Sequence, residues 1–123
     1  MPASLYHIIV ADAQPQVRGL LARIVANTYP AATISIAGGH QEALGVFDRR
    51  GADLILTNHD LPQLDGLLLI QTLRARGATL PIVMLSADPS VAPAALAAGA
   101  TRFVAKPFHV AELVSLLLTL LPA

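Results

Sequence analysis

Residues 53–66 read DLILTNHDLPQLDG, and the fold follows from how that stretch divides. Leu54, Ile55 and Leu56 form a short apolar run behind Gly51, Ala52 and Asp53. A strand buried on both faces of a parallel sheet has this pattern, because helices cover both sides and polar alternation is lost. Asn58, His59, Asp60, Pro62, Asp65 and Gly66 follow as a polar loop of turn-forming residues. Polar side chains just past the carboxyl end of a central strand are where open α/β sheets build their sites. If this loop held a reactive carboxylate, Asn58, at its head, would occupy that seat.

Outward from that stretch the same grammar repeats. Leu5–Val10 is a buried-strand candidate. Pro15 then suits the first turn of a helix in which Val17, Leu20, Leu21, Ile24 and Val25 recur at helical spacing. Tyr29-Pro30 ends it. Thr33–Ala37 is a β-branched strand, and Gly38-Gly39 leads into a helix over His40–Arg50, with Ala43, Leu44 and Phe47 turned inward. After the central strand, Gly66–Arg76 carries an amphipathic helix ended by Gly77. Leu80–Leu85 is the fourth strand, with Pro81 tolerable only at its start. Asp88 caps an alanine-rich helix with Pro89 at its first position, and Gly99 ends that helix after Ala98. Arg102–Ala105 is the fifth strand, and Val110–Leu121 the last helix.

Five strands alternating with five helices predict an α/β fold, a doubly wound parallel sheet with right-handed crossovers, as one domain over residues 1–123. The flavodoxin-like strand order 2-1-3-4-5 is the commonest five-strand solution. It would bring Asp12, Asn58, Ser86 and Lys106 to one crevice, each from a different strand end.

Composition narrows the function classes. The chain is 54% hydrophobic and 13% charged, which excludes disorder. Eight basic residues balance eight acidic ones, so nothing draws this domain to nucleic acid or an anionic membrane. No cysteine is present, which removes disulfides, thiolate metal sites and thiol catalysis together. No apolar run is long enough to span a bilayer and no signal peptide opens the chain, so a cytoplasmic domain is expected. The four histidines, His7, His40, His59 and His109, lack ligand spacing, and no metal cluster is expected of them. A phosphate-cradling glycine loop after the first strand is missing from Ala13-Gln14-Pro15-Gln16, which argues against a flavin binder.

The chain resembles a response-regulator receiver domain over essentially its whole length. The resemblance is carried by VADAQPQVR after strand one, N-x-x-L-P-x-x-D-G from Asn58, and Ser86-Ala87. It continues through Ala98-Gly99-Ala100 to Lys106-Pro107-Phe108. It implies a two-component, phosphorelay signalling role with a histidine kinase or other signalling protein as partner, and no enzymatic turnover. In such domains an aspartate after strand three accepts a phosphoryl group as a carboxylate nucleophile. Magnesium, which prefers oxygen ligands, binds that aspartate, an acidic pair after strand one and a loop carbonyl. By resemblance, Lys106 is the phosphoryl-charge lysine, Ser86 the switch hydroxyl and Phe103 the switch aromatic. Asp12 is the first of the acidic pair, and Asp60 supplies the loop carbonyl.

Two positions depart from the pattern. The phosphoacceptor position is Asn58, a neutral amide and poor nucleophile, and the second acidic position is Ala13. One carboxylate of the usual three remains, so the reading is a degenerate pseudo-receiver acting through protein contacts. It would take no cofactor, or at most weak Mg2+ at Asp12. Lys106 would pair with Asp12 across the metal position. The competing reading is a phosphorylatable receiver of a transcriptional response regulator. There Asn58 would be an engineered or deamidating position, or Asp60 the substitute acceptor. The apolar breadth of the last helix and the uncharged helix before it also predict a homodimer or partner surface on helix four, strand five and helix five.

Overall fold

Each apolar run forms the strand or helix its period implies. A computed structural model describes residues 6–123 as β1 (His7–Ala11), α1 (Pro15–Thr28), β2 (Thr33–Ala37), α2 (His40–Arg50), β3 (Leu54–Thr57) and α3 (Gly66–Ala75). They continue as β4 (Ile82–Ser86), a 3-10 turn (Pro89–Val91), α4 (Ala92–Ala98), β5 (Arg102–Ala105) and α5 (Val110–Leu120). The five strands are parallel in the order β2-β1-β3-β4-β5. This is the flavodoxin-like arrangement.

The central strands are buried on both faces, and successive residues supply two cores. Ile9, Ile55, Ile82 and Met84 point to the side covered by α2, α3 and α4, where Ala43, Leu69, Ile70, Leu73 and Ala95 meet them. Ile8, Val10, Leu54, Leu56, Val83 and Leu85 point to the other side, against Leu21, Ile24 and Val25 of α1 and Leu113 and Leu117 of α5. That explains why β1, β3 and β4 show no polar alternation.

The boundaries differ from expectation in physically readable ways. Leu5 lies outside the described residues. β1 runs on to Ala11 because that residue still pairs with Ala37 on one side and Thr57 on the other. β4 starts after Pro81, which has no N–H for the ladder, and ends at Ser86 opposite Ala105. The expected helix from Pro89 begins as a 3-10 turn, with Val91 N–H bonded to the Asp88 carbonyl at 3.2 Å, before α4 proper. In α2 the deepest residues are Ala43 and Val46, while Leu44 and Phe47 are half-buried.

Two side chains outside the expected core staple the fold. The Arg74 guanidinium, on α3, donates to the carbonyls of Gly99, Ala78 and Leu80 at 2.9, 3.0 and 2.7 Å, and burial lowers its pKa. It binds the ends of β4 and α4 to α3. Gly99 closes α4 at φ +116°, and a Cβ there would stand 2.6 Å from Arg74 Cγ. On the other face the Tyr29 hydroxyl donates to the Leu121 carbonyl at 2.7 Å, with Tyr6 edge-on to its ring. Burial first, and then the Tyr6 phenol, push that hydroxyl up to about 12.

Candidate functional site

The carboxyl ends of β1, β3, β4 and β5 meet, as the strand order requires. They form a crevice of about 220 Å3 lined by Gln14, Asn58, His59, Asp60, Ser86, Ala87, Asp88 and Lys106. Asp12 is fully buried beside it, directly after β1. Its Oδ2 accepts from Lys106 Nζ at 2.9 Å, an ion pair that joins the ends of β1 and β5 across the sheet. Its Oδ1 accepts from the Gln14 backbone N–H at 2.9 Å and from Asn58 Nδ2 at 3.3 Å. The carboxylate is therefore satisfied within the chain, as a buried charge must be.

Asn58 follows β3 and is 5% exposed. Its amide orientation follows from chemistry: a carboxylate only accepts, so the NH2 end faces Asp12. Its Oδ1 is buried with no partner.

The remaining expected residues divide between the crevice and its surroundings. Ser86 Oγ accepts the Asp88 N–H at 3.1 Å, at the crevice wall. The Asp88 carboxyl is held below its ordinary value by the Ser90 hydroxyl and then by the Ser90 N–H, with desolvation opposing. Asp60 lines the crevice, but its carbonyl accepts the Leu64 N–H at 2.9 Å and its own N–H returns to Leu64 at 2.8 Å. Ala13 is half-buried against the core beneath α2 and α3. Phe103 lies outside the crevice. It packs on that same core and lines a groove between β5 and α5 with Phe108, Leu113 and Leu116.

Several supporting groups were not legible in advance. Arg18 Nη1 reaches from α1 to the Asp12 carbonyl at 3.0 Å, fixing the turn that carries the carboxylate. Two of the four histidines, far apart in sequence, meet at the start of α3. His40 Nδ1 accepts the Asp65 N–H and His59 Nδ1 the Gly66 N–H, both at 3.1 Å. The only available signal was the placement of His40 at the start of α2 and of His59 in the loop after β3. Among the described residues no set of three His, Cys, Asp or Glu side chains is grouped to hold a metal. No helix among them is long and apolar enough to cross a membrane.

Comparison with known proteins agrees with this geometry. Residues 8–118 match the family described as the response regulator receiver domain. Response regulator MprA of Mycobacterium ulcerans is 36% identical over 117 residues, covering 93% of this chain and 49% of that protein. Transcriptional regulatory protein TrcR of Mycobacterium tuberculosis is 31% identical over 116 residues, covering 93% of this chain and 44% of that protein. The chain thus spans about half the length of the curated relatives it matches. The receiver domain of NtrX from Brucella abortus superposes with a TM-score of 0.83 at 27% identity, covering 93% of this chain and 97% of that one. Chemotaxis protein CheY4 of Vibrio cholerae shares the fold at a TM-score of 0.83 and 21% identity, covering 95% of this chain and 99% of that one.

Proposed function

This chain belongs to the response regulator receiver domain family, and from that premise we propose that it is a pseudo-receiver: it signals through protein contacts and carries out no phosphoryl transfer. The observation that carries the reading is the state of Asp12. The one carboxylate left of the usual three, Asp12, is fully buried, with both oxygens engaged by Lys106, Gln14 and Asn58. An Asn58 amide offers neither the negative charge nor the nucleophilic oxygen that an aspartyl phosphate needs.

Magnesium does not fit the residues present. It demands near-octahedral oxygen ligands and dehydrates reluctantly. Here Ala13 supplies no side-chain oxygen, Asn58 supplies no negative charge, and Lys106 occupies Asp12. The lysine ammonium stands as an internal cation beside the carboxylate. Ser86 and Phe103 keep the positions of switch residues without a phosphoryl group to answer. The partners are a histidine kinase or another signalling protein, in the cytoplasm.

Incubation with a small phosphodonor and magnesium, followed by intact mass measurement, is expected to leave the mass unchanged. Gain of one phosphoryl group at residue 58 would show instead a phosphorylatable receiver of a transcriptional regulator, the role that relatives such as TrcR carry in their names. Gain at residue 60 would point to Asp60 as a substitute acceptor.

The α4–β5–α5 face supports self-association as part of the same role. Leu96 on α4 is 51% exposed, and the groove lined by Phe103, Pro107, Phe108 and Leu116 opens about 340 Å3 beside it. A second copy would cover the apolar side chains of this face. Light scattering at rising concentration is expected to show dimer. A strict monomer at the highest concentration counts against it.

A further inference from the structure

The crevice presents an acceptor on its buried side and negative charge at its rim. Asn58 lines it at 5% exposure, with Nδ2 turned to Asp12 at 3.3 Å. The Oδ1 atom is directed away from that bond and meets no donor among the described residues. At the rim, none of the ion pairs among the described residues uses half-buried Asp60. Exposed Asp88 takes both Ser90 bonds on Oδ1, which leaves its Oδ2 outside them. Lys106 brings positive charge to the lining, and Asp12 meets that charge. Ser86 Oγ is on the Asp88 N–H, and His59 Nδ1 is on the Gly66 N–H. What faces an incoming group is therefore an amide oxygen and two carboxylates.

We propose, resting on the pseudo-receiver reading, that this crevice is a guanidinium site and that a partner protein fills it with an arginine side chain. A guanidinium carries five N–H donors in one plane and no acceptor. One edge meets Asn58 Oδ1 while another reaches a rim carboxylate, as charge-assisted bonds. It is weakly hydrated and asks for no octahedral shell, which separates it from magnesium. An ammonium is a compact, strongly hydrated point charge and does not span the buried side and the rim together. An oxyanion is repelled by Asp60 and Asp88, with Lys106 committed to Asp12. Water also donates to Oδ1, but only a cation gains from the two carboxylates.

The mouth of the crevice favours a protein as the source of the arginine. Leu61, next to Asp60, is 59% exposed, and Leu68 on α3 is 44% exposed. They give the chain that carries the arginine an apolar shoulder to rest on.

Titration of the isotope-labelled chain with Nα-acetyl-arginine methylamide, read by NMR, tests this. Saturable shifts are expected at the Asn58 side-chain amide and at the backbone amides of Asp60 and Ala87, unchanged by added magnesium. The corresponding blocked lysine is expected to bind about tenfold more weakly, the worth of one charge-assisted bond. Blocked arginine is expected to lose about the same factor on the Asp60→Asn variant, which keeps the shape of the side chain and removes its charge. No saturable shift in the native chain overturns the site, and equal binding of the lysine probe overturns the guanidinium assignment. Binding of guanidinium chloride without binding of blocked arginine overturns a protein-borne occupant. The intact mass measurement separates the two readings. A chain that stays unphosphorylated yet ignores the arginine probe loses the guanidinium site alone. One that gains a phosphoryl group at residue 58 loses the pseudo-receiver reading and this site with it.

Discussion

Lys106→Met is expected to lower the free energy of unfolding by about 3 kcal/mol, read as a lower urea midpoint at unchanged slope. The reason is asymmetry. Among the described residues, Lys106 Nζ is the one full positive charge bonded to the Asp12 carboxylate, and Asp12 is 0% exposed. Taking away the ammonium leaves a carboxylate held by the Gln14 N–H and the long Asn58 contact alone. Removing one partner of a buried pair strands the other charge, whereas removing both is far less costly. The Asp12→Leu/Lys106→Met double variant is therefore expected to recover part of the loss, and the cycle to show strong coupling. A single-variant effect below about 1 kcal/mol, the range of exposed pairs, would mean that water reaches Asp12 and that the ion pair does not hold β1 to β5.

Gly66→Ala is expected to cost at least as much, about 3 kcal/mol or more, with the melting point falling by roughly 10 °C. A Cβ on Gly66 would stand 2.1 Å from the Asn58 carbonyl oxygen and 3.0 Å from Met84 Cε. The first contact is with backbone, which no rotamer change relieves. Asn58 is 5% exposed and Met84 fully buried, so neither can move outward. The Gly66 N–H would also be pulled from His59. A near-neutral melting curve would show that α3 can slide away from β3.

Both effects act at residues that the chain announces unequally. The sheet order and the convergence of Asp12, Asn58, Ser86 and Lys106 were legible because apolar period and turn residues are local signals, and the topology does the rest. The pairing of Lys106 with Asp12 was legible too, since the strand order brings a lysine and a carboxylate to one crevice. What could not be read were contacts made by groups with no local signature. Arg74 looks like a helix-end arginine, yet it joins three carbonyls from other segments. His40 and His59 were set aside because their spacing suits no metal. Their role is to accept backbone N–H groups, and spacing along the chain does not encode that. Phe103, the switch aromatic by resemblance, packs on the core and lines the groove beside α5.

In the proposed function, the crevice is closed to metal and phosphoryl by its own residues. A crystal structure of the chain grown with magnesium and beryllofluoride tests that most directly. It is expected to show Lys106 Nζ still on Asp12, near the present 2.9 Å, and no mimic on the Asn58 side chain. A magnesium ion on Asp12 with beryllofluoride at residue 58 and Lys106 turned toward it would contradict the account outright.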